Sequence, residues 1–446
     1  MIDRTAEWVA AAAGGRLVAG QPDVAGPHRA VVDSREAAAG DLFVGLAGTR
    51  TDGGAFASAA LDAGAWGVLV EPARADELGA PDGGRAVIAA PDPLQALQSL
   101  ALEWRRELRC PVVGVTGSTG KTSTKDILAA LLLPQWPETH ANRENLNTEI
   151  GLPLTILDAE RGTDALVLEM AMRGAGQIAE LTKIAEPAVG LIVNVGPVHL
   201  ELLGTVERVA AAKAELIRDL PASATCVVPA AEPLLEPHLR DDLETITFGE
   251  GGDVHLVSFA HGRARIDARG TEVVLDLPYS GAHNVVNTVA AVAAATALGV
   301  VPSGRVEVSF SALRGEVVEL GGGVTVVNDC YNANPMSMRA ALDHLADSPA
   351  ARRIAVLGTM AELGEDGERF HREIGRRADE LGVDVLVTVG EAALPYADAF
   401  DGERHAVASP EEARAILEEL AQPGDRVLIK GSRSAGLERV VGANQA

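Results

Sequence analysis

Residues 116–122 read Thr-Gly-Ser-Thr-Gly-Lys-Thr. They stand between a short apolar run (Val112, Val113) and a helical pattern from Asp126 to Leu133. Strand, glycine loop and helix in that order form a phosphate cradle, because loop N–H groups turn inward and the helix N-terminus adds partial positive charge. Thr116, Gly117, Ser118, Thr119, Gly120, Lys121, Thr122 and Ser123 are therefore expected to surround a ligand's phosphate groups, with the N–H groups of Gly117 to Lys121 facing them. Lys121 would reach the outer phosphates and the Thr122 hydroxyl would face Mg²⁺. The spacing departs from the strict G-x-x-x-x-G-K-[ST], since Val115 stands where its first glycine belongs.

Other residues have the chemistry to complete such a site. The strand pattern ALVLE ends at Glu169, whose carboxylate would project beside the cradle and suits Mg²⁺, which takes oxygen ligands. A solvated strand end is the competing reading. His199 follows the buried pattern AVGLIVNV, where a structural histidine is equally admissible. In the helical pattern 205–220, Lys213 falls within the stripe of Val209, Leu216 and Ile217, opposite Glu207, Arg208, Glu215, Arg218 and Asp219. An inward lysine must be paired, snorkel or lose its charge. A desolvated amine can also react with CO₂ to give a carbamate, an anion able to bind Mg²⁺. Asn284 and Asn287 lie one turn apart and would read a purine edge, unless Asn284 caps its helix. Asn142, Asn145 and Asn147 lie in a loop before a helix, where an open α/β sheet binds ligands. Ser34 and Arg35, between two short strands, are candidates for an anionic ligand, with an ordinary turn as the alternative. Lys430 and Arg433 at a strand end are candidates for an anion or a carboxylate.

Composition narrows the classes. Net charge is −25, which argues against nucleic acid, whose binding rests on many Lys and Arg contacts to phosphate. Local dipoles and metal ions must then supply the positive field for the polyanion that the loop binds. Lysine occurs only at 121, 125, 183, 213 and 430, which singles out five positions where a primary amine could matter. Aromatics make up 3% of the chain, so the cores are built from Ala, Val and Leu. No apolar run approaches the ~18 residues of a membrane span, and the first residues lack the pattern of a signal peptide. Cys110, Cys226 and Cys330 show neither metal spacing nor a disulfide framework. A reduced, cytoplasmic protein without membrane insertion is expected.

The length suggests about three domains. Residues 1–108 read as a small α/β unit and 109–314 as a central unit with a mostly parallel sheet. Residues 315–446 read as a third α/β unit of nucleotide-binding type without a glycine fingerprint. Arg314 sits where the composition changes.

These segments together resemble the Mur ligases over nearly the whole chain. The shared signals are TGSTGKT (116–122), Glu169, His199, AKAE around Lys213, HNVVN (283–287) and Arg314. VDSR with GDLFVGL, ENLNTEIGLP, NDCYNANPMSM, GTMAELG and KGSRS point to the members that add a dipeptide. The resemblance implies three domains: a UDP-substrate domain, a central P-loop domain and a C-terminal Rossmann-like domain admitting the dipeptide. It implies an ATP-dependent ligase joining D-alanyl-D-alanine to UDP-N-acetylmuramoyl-tripeptide through an acyl phosphate, acting as a monomer. By the same resemblance Thr122 and Glu169 would hold one Mg²⁺, and His199 with a carbamylated Lys213 a second. Asn284, Asn287, Arg314 and Asp329 would contact ATP. Ser34, Arg35, Asn145, Asn147, Asn332, Asn334, Lys430 and Arg433 would meet the substrates. The missing first glycine is expected of this family's shorter loop. Gly54, Cys330 and Thr359 depart from residues common in the family and put only local contacts in doubt. A sister ligase adding another amino acid or a folylpolyglutamate synthetase-like enzyme would share most of this pattern. A nucleotide switch or transport ATPase would not need Lys213, Glu169 and His199 together.

Overall fold

A computed structural model describes residues 1, 3–48, 51–311, 313–320 and 322–441; the last five residues of the chain lie outside the described part. The strands form three sheets, of five, ten and six strands. In the first, the order is Arg16–Ala19, Ala86–Ala89, Gly67–Val70, Leu42–Val44, Ala30–Val31. The first pair runs antiparallel and the other described pairs parallel. In the third, the edge pair Glu316–Leu320 and Val324–Asn328 is antiparallel, and the strands beyond it run parallel.

The ten-stranded sheet positions the cradle. Its loop strand, Val112–Thr116, lies between Ala165–Glu169 on one side and Val189–Ile192 on the other, all parallel. Three chain segments distant in sequence therefore deliver their carboxyl ends to one place, where open α/β sheets bind ligands. All three strands are buried, which fits their near-continuous apolar sequences. The far half is a run of strands from Glu244 to Asp276 without an intervening helix, antiparallel in its last three. There Arg263–Ala268 alternates exposed and buried residues, as a sheet with one wet face requires.

The loop helix, Lys121–Leu132, packs along the Ala-rich helix Ala282–Ala297. Ile127, Leu128, Leu131 and Leu132 share a buried cluster with Val285, Val289 and Val292. Each such side chain is worth roughly 1.5–3 kcal/mol of burial, so the cradle rests on a firm base. The helix Pro93–Leu108, capped by Asp92, packs on helices Gly151–Asp158 and Gln177–Ala185 of the central unit. Its Trp104 donates to the Ala159 carbonyl at 2.9 Å.

The pattern read as one helix over 205–220 is two: Val206–Lys213 and Glu215–Asp219. Ala214, at ψ −7°, turns the chain between them. The turn carries Glu215 inward, where its carboxylate accepts the N–H groups of Gly176 (2.6 Å) and Ala179 (3.0 Å) at the start of the helix Gln177–Ala185. Glu215 is thus a buried cap rather than part of the solvated face.

Candidate active site

Gly120 ends the phosphate loop in the left-handed region (φ 73°). A Cβ there would stand 2.5 Å from Asn287 Oδ1, so glycine is needed for both backbone and space. Lys121 Nζ curls back to donate to the Gly117 carbonyl at 2.9 Å. Burial pulls the Lys121 pKa below the lysine range; Glu169 opposes the shift and Arg314 adds to it. The N–H groups of Lys121, Thr122 and Ser123 open the helix and have no carbonyl one turn earlier within it.

The expectation that every N–H from Gly117 to Lys121 faces a ligand needs correction. Asn194, just past the neighbouring strand, accepts from Ser118 N at 3.1 Å and Thr119 N at 2.9 Å through Oδ1. Its Nδ2 donates to the Thr119 carbonyl and hydroxyl, at 3.2 and 3.1 Å. Thr116 is wholly buried in its strand and does not line the cleft.

Beside the loop, Thr122 Oγ1 donates to Glu169 Oε2 at 2.7 Å, and Asn147 Nδ2 donates to Oε1 at 2.8 Å. Behind them Asn142 accepts from Glu169 N (2.7 Å) and donates to its carbonyl (3.1 Å). Lys125, buried, donates to the Asn142 carbonyl at 2.7 Å. Asn145 is exposed, with its carbonyl engaged by Asn147 N.

Lys213 is inward, as its place in the stripe predicts, and 1% exposed. It makes no hydrogen bond or ion pair among the described residues. Burial, reinforced by the charge of Lys121, takes its pKa well below the lysine range, which favours the neutral amine. His199, in the left-handed region, places Nδ1 2.5 Å from Glu362 Oε2 of the third unit. Burial lowers the His199 pKa, and Glu362 works against that shift.

A cleft of about 320 Å³ opens between the loop and the third sheet. Ser118 to Ser123 line one side. Asn284, Asn287, Arg314, Asp329, Asn332, Asn334 and Lys430 line the rest. Asn287 Nδ2 donates to Asn284 Oδ1 at 3.1 Å. The helix cap is Gly281, which removes capping as the reason for Asn284. Arg314 lies over the Tyr331 ring at 4.2 Å. Asp329 and Lys430 end neighbouring strands and pair at 2.6 Å, and Lys430 also donates to the Asn332 carbonyl at 3.1 Å. Asn334 caps the helix Pro335–Asp347 in a reciprocal box with Ser337, so its side chain is already engaged. Arg433 faces Glu438 at 3.4 Å and does not line the cleft.

Ser34 and Arg35 lie in the first unit and do not line this cleft. Arg35 is bound to Asp33, whose carboxyl it draws down to about 2. Sequence reasoning missed Asn194 and Glu362. Asn194 directly follows a buried strand, a position that signals a ligand edge, whereas nothing local marks Glu362.

Known proteins match this chain along most of its length. The Mur ligase middle domain matches residues 115–295, and the Mur ligase glutamate ligase domain matches 313–433. A UDP-N-acetylmuramoyl-tripeptide–D-alanyl-D-alanine ligase from Synechocystis sp. is 39% identical, over 92% of this chain and 90% of its own. The enzyme of that name from Bacillus subtilis is 34% identical, over 99% and 98%. A MurF crystal structure from Acinetobacter baumannii superposes with a TM-score of 0.87 at 29% identity, covering 98% of both chains. MurF ligase from Thermotoga maritima, solved in complex with ADP, gives 0.79 at 33% identity, over 93% of this chain and 96% of its own. The chain belongs to the Mur ligase family.

Proposed function

We propose that this chain is the ATP-dependent ligase that joins D-alanyl-D-alanine to UDP-N-acetylmuramoyl-tripeptide. The observation that carries the proposal is the cleft itself. The phosphate loop with Lys121 faces, across one cavity, the strand ends bearing Asp329 and Lys430. A phosphoryl donor on one wall and an acceptor on the other is what amide ligation needs. Full-length relatives bearing that name support the specific substrates. In this reading residues 1–108 hold the UDP end through Ser34 and Arg35, residues 109–314 bind ATP, and residues 315–446 admit the dipeptide. Asn284 and Asn287 read the adenine, and Arg314 and Asp329 border the nucleotide. Asn145, Asn147, Asn332, Asn334, Lys430 and Arg433 border the other substrates. Every role is filled from one chain, consistent with a monomer, and both nucleotide substrates belong to the cytoplasm.

A carboxylate is a poor electrophile. Transfer of the γ-phosphoryl group to the tripeptide's terminal carboxylate gives an acyl phosphate and ADP. The free amine of D-alanyl-D-alanine then attacks the acyl carbon, and phosphate leaves from the tetrahedral intermediate with the C–O bond. Lys121, half-buried on the cleft wall, would be drawn from Gly117 to the transferring phosphoryl oxygens and oppose their charge.

The residues present fit Mg²⁺. Thr122 and Glu169 offer oxygen donors already in contact, with the carboxylate held by Asn147. Among the described residues no group of three His, Cys, Asp or Glu side chains forms a cage. That suits an ion which takes one or two carboxylates and completes its shell with phosphate and water. His199 with Lys213 as its carbamate would hold a second ion, and a buried, neutral, unpaired amine is the form that reacts with CO₂. Bound there, Mg²⁺ would neutralise charge on the phosphates.

Mass spectrometry after incubation with ATP, UDP-N-acetylmuramoyl-tripeptide and D-alanyl-D-alanine should show the conjugate of the two peptides, less one water. Consumption of ATP without that conjugate, or equal use of single amino acids, refutes the assignment.

A further inference from the structure

The turn at 361–364 of the third unit seats against residues 199–201 of the central unit. The Glu362 carbonyl accepts from Glu201 N at 3.2 Å. A Cβ on Gly364 would come 3.3 Å from Glu201 Cα. Across this seam Glu362 Oε2 lies 2.5 Å from His199 Nδ1, and Glu362 Oε1 lies 3.6 Å from Arg173 Nε. His199 (φ 53°) and Glu362 (φ 62°) both hold left-handed backbone. Such backbone costs a non-glycine residue about 1–3 kcal/mol and persists where the surroundings over-determine it, often at functional sites. Two partners strained toward one contact are hard to explain as an incidental surface ion pair.

A carboxylate accepts only, so His199 Nδ1 must carry the hydrogen. In the neutral ring Nε2 then holds the lone pair, and Nε2 makes no hydrogen bond among the described residues. Carboxylate–histidine pairs of this kind fix the tautomer and ring orientation of histidines that bind metals.

We propose that Glu362 is a positioning residue: it fixes His199 with Nε2 free for a divalent cation, so that docking of the third unit on the central unit completes the ion site. The inference rests on His199 being a cation ligand, as the proposed function has it.

The test uses the full chain, with Mn²⁺ as the probe and ADP present. Free Mn²⁺ is followed by electron paramagnetic resonance. The His199 tautomer is read by NMR of ¹⁵N-histidine-labelled protein, the His199 signals being assigned by their loss in His199→Ala. The wild type should show the Nδ1–H tautomer. Glu362→Ala should lose that signature and bind Mn²⁺ about 10- to 100-fold more weakly, the usual cost of removing such a partner. Glu362→Gln, a milder change whose amide can also donate, should show mixed tautomers and intermediate affinity. A residue that merely braces the seam would lower the melting temperature without moving either readout. If His199→Ala weakens Mn²⁺ binding but both Glu362 variants match the wild type in tautomer and affinity, the positioning role is wrong and the ligand reading stands. If His199→Ala leaves Mn²⁺ binding unchanged, the ligand reading fails and takes this inference with it.

Discussion

Asn194 offers the sharpest single perturbation of the phosphate loop. Its amide makes four hydrogen bonds to Ser118 and Thr119, between 2.9 and 3.2 Å. A neutral bond contributes about 1 kcal/mol net, so the set holds the loop by roughly 2–4 kcal/mol, the longer bonds favouring the lower figure. The Ser118 hydroxyl keeps its own bonds to Gly196 when Asn194 is removed, which limits the loss further. A binding site that is only fractionally formed loses affinity by that fraction. At 1.4 kcal/mol per decade, a loss of about 2 kcal/mol corresponds to roughly 30-fold. Asn194→Ala should therefore raise the KM for ATP about 10- to 100-fold, because the loop must be ordered on binding. Turnover at saturating ATP should fall far less, since Lys121 is retained. Steady-state kinetics over a wide ATP range decides the matter. An unchanged KM, or a loss confined to kcat, would show that the loop does not depend on this clamp.

Four further outcomes follow from the same geometry. Lys121→Ala should keep its melting temperature but lose about 10²–10³ in kcat, the usual cost of one strong electrostatic contact in a closed site; near-normal turnover would rule out its role. Lys213→Arg should be inactive, because a guanidinium cannot form a carbamate, while Lys213→Ala should be partly restored by short carboxylates. Burial lowers the pKa of the unmodified Lys213 amine in the folded chain well below the 10.5 it has when unfolded, so the amine opposes folding below that pH. Lys213→Met should therefore be more stable than the carbonate-free wild type near pH 7, with the gain shrinking as pH rises toward 10.5, and denaturant melts across that range would show a flat difference if the reasoning is wrong. Gly120→Ala, placed at φ 73° against Asn287, should lose about 1–2 kcal/mol of stability to left-handed backbone strain and bind ADP more weakly by calorimetry.

The parts of the site that were legible in the sequence are those written in contiguous residues. The loop at 116–122 declares its geometry through glycine spacing and its flanking elements. Lys213 declares its burial through helical periodicity, and Glu169 its direction through its place at a strand end. Asn194 was not legible, because its function comes from the adjacency of Val189–Ile192 to Val112–Thr116 in the sheet, and strand order is not written locally. Glu215 was assigned to the solvated face because the helix was read as continuous; the turn at Ala214 re-aims it at another helix's N-terminus. Glu362 lies 163 residues from His199, so only the docking of two units reveals the pair. Asn334 was legible as an asparagine near the cleft, yet its capping of the following helix, signalled by Pro335 and Ser337, went unread. Arg35 has the right chemistry for an anion, and its pairing with the neighbouring Asp33 was not read.

Phosphoryl transfer to the substrate's carboxylate, within the cleft between the loop and the third sheet, is the step on which the other roles depend. Its most direct test is oxygen tracing: UDP-N-acetylmuramoyl-tripeptide labelled with ¹⁸O in its terminal carboxylate, turned over with ATP and D-alanyl-D-alanine. One labelled oxygen should appear in each inorganic phosphate released, carried there when the acyl phosphate breaks. Unlabelled phosphate alongside full formation of the conjugate would contradict the account.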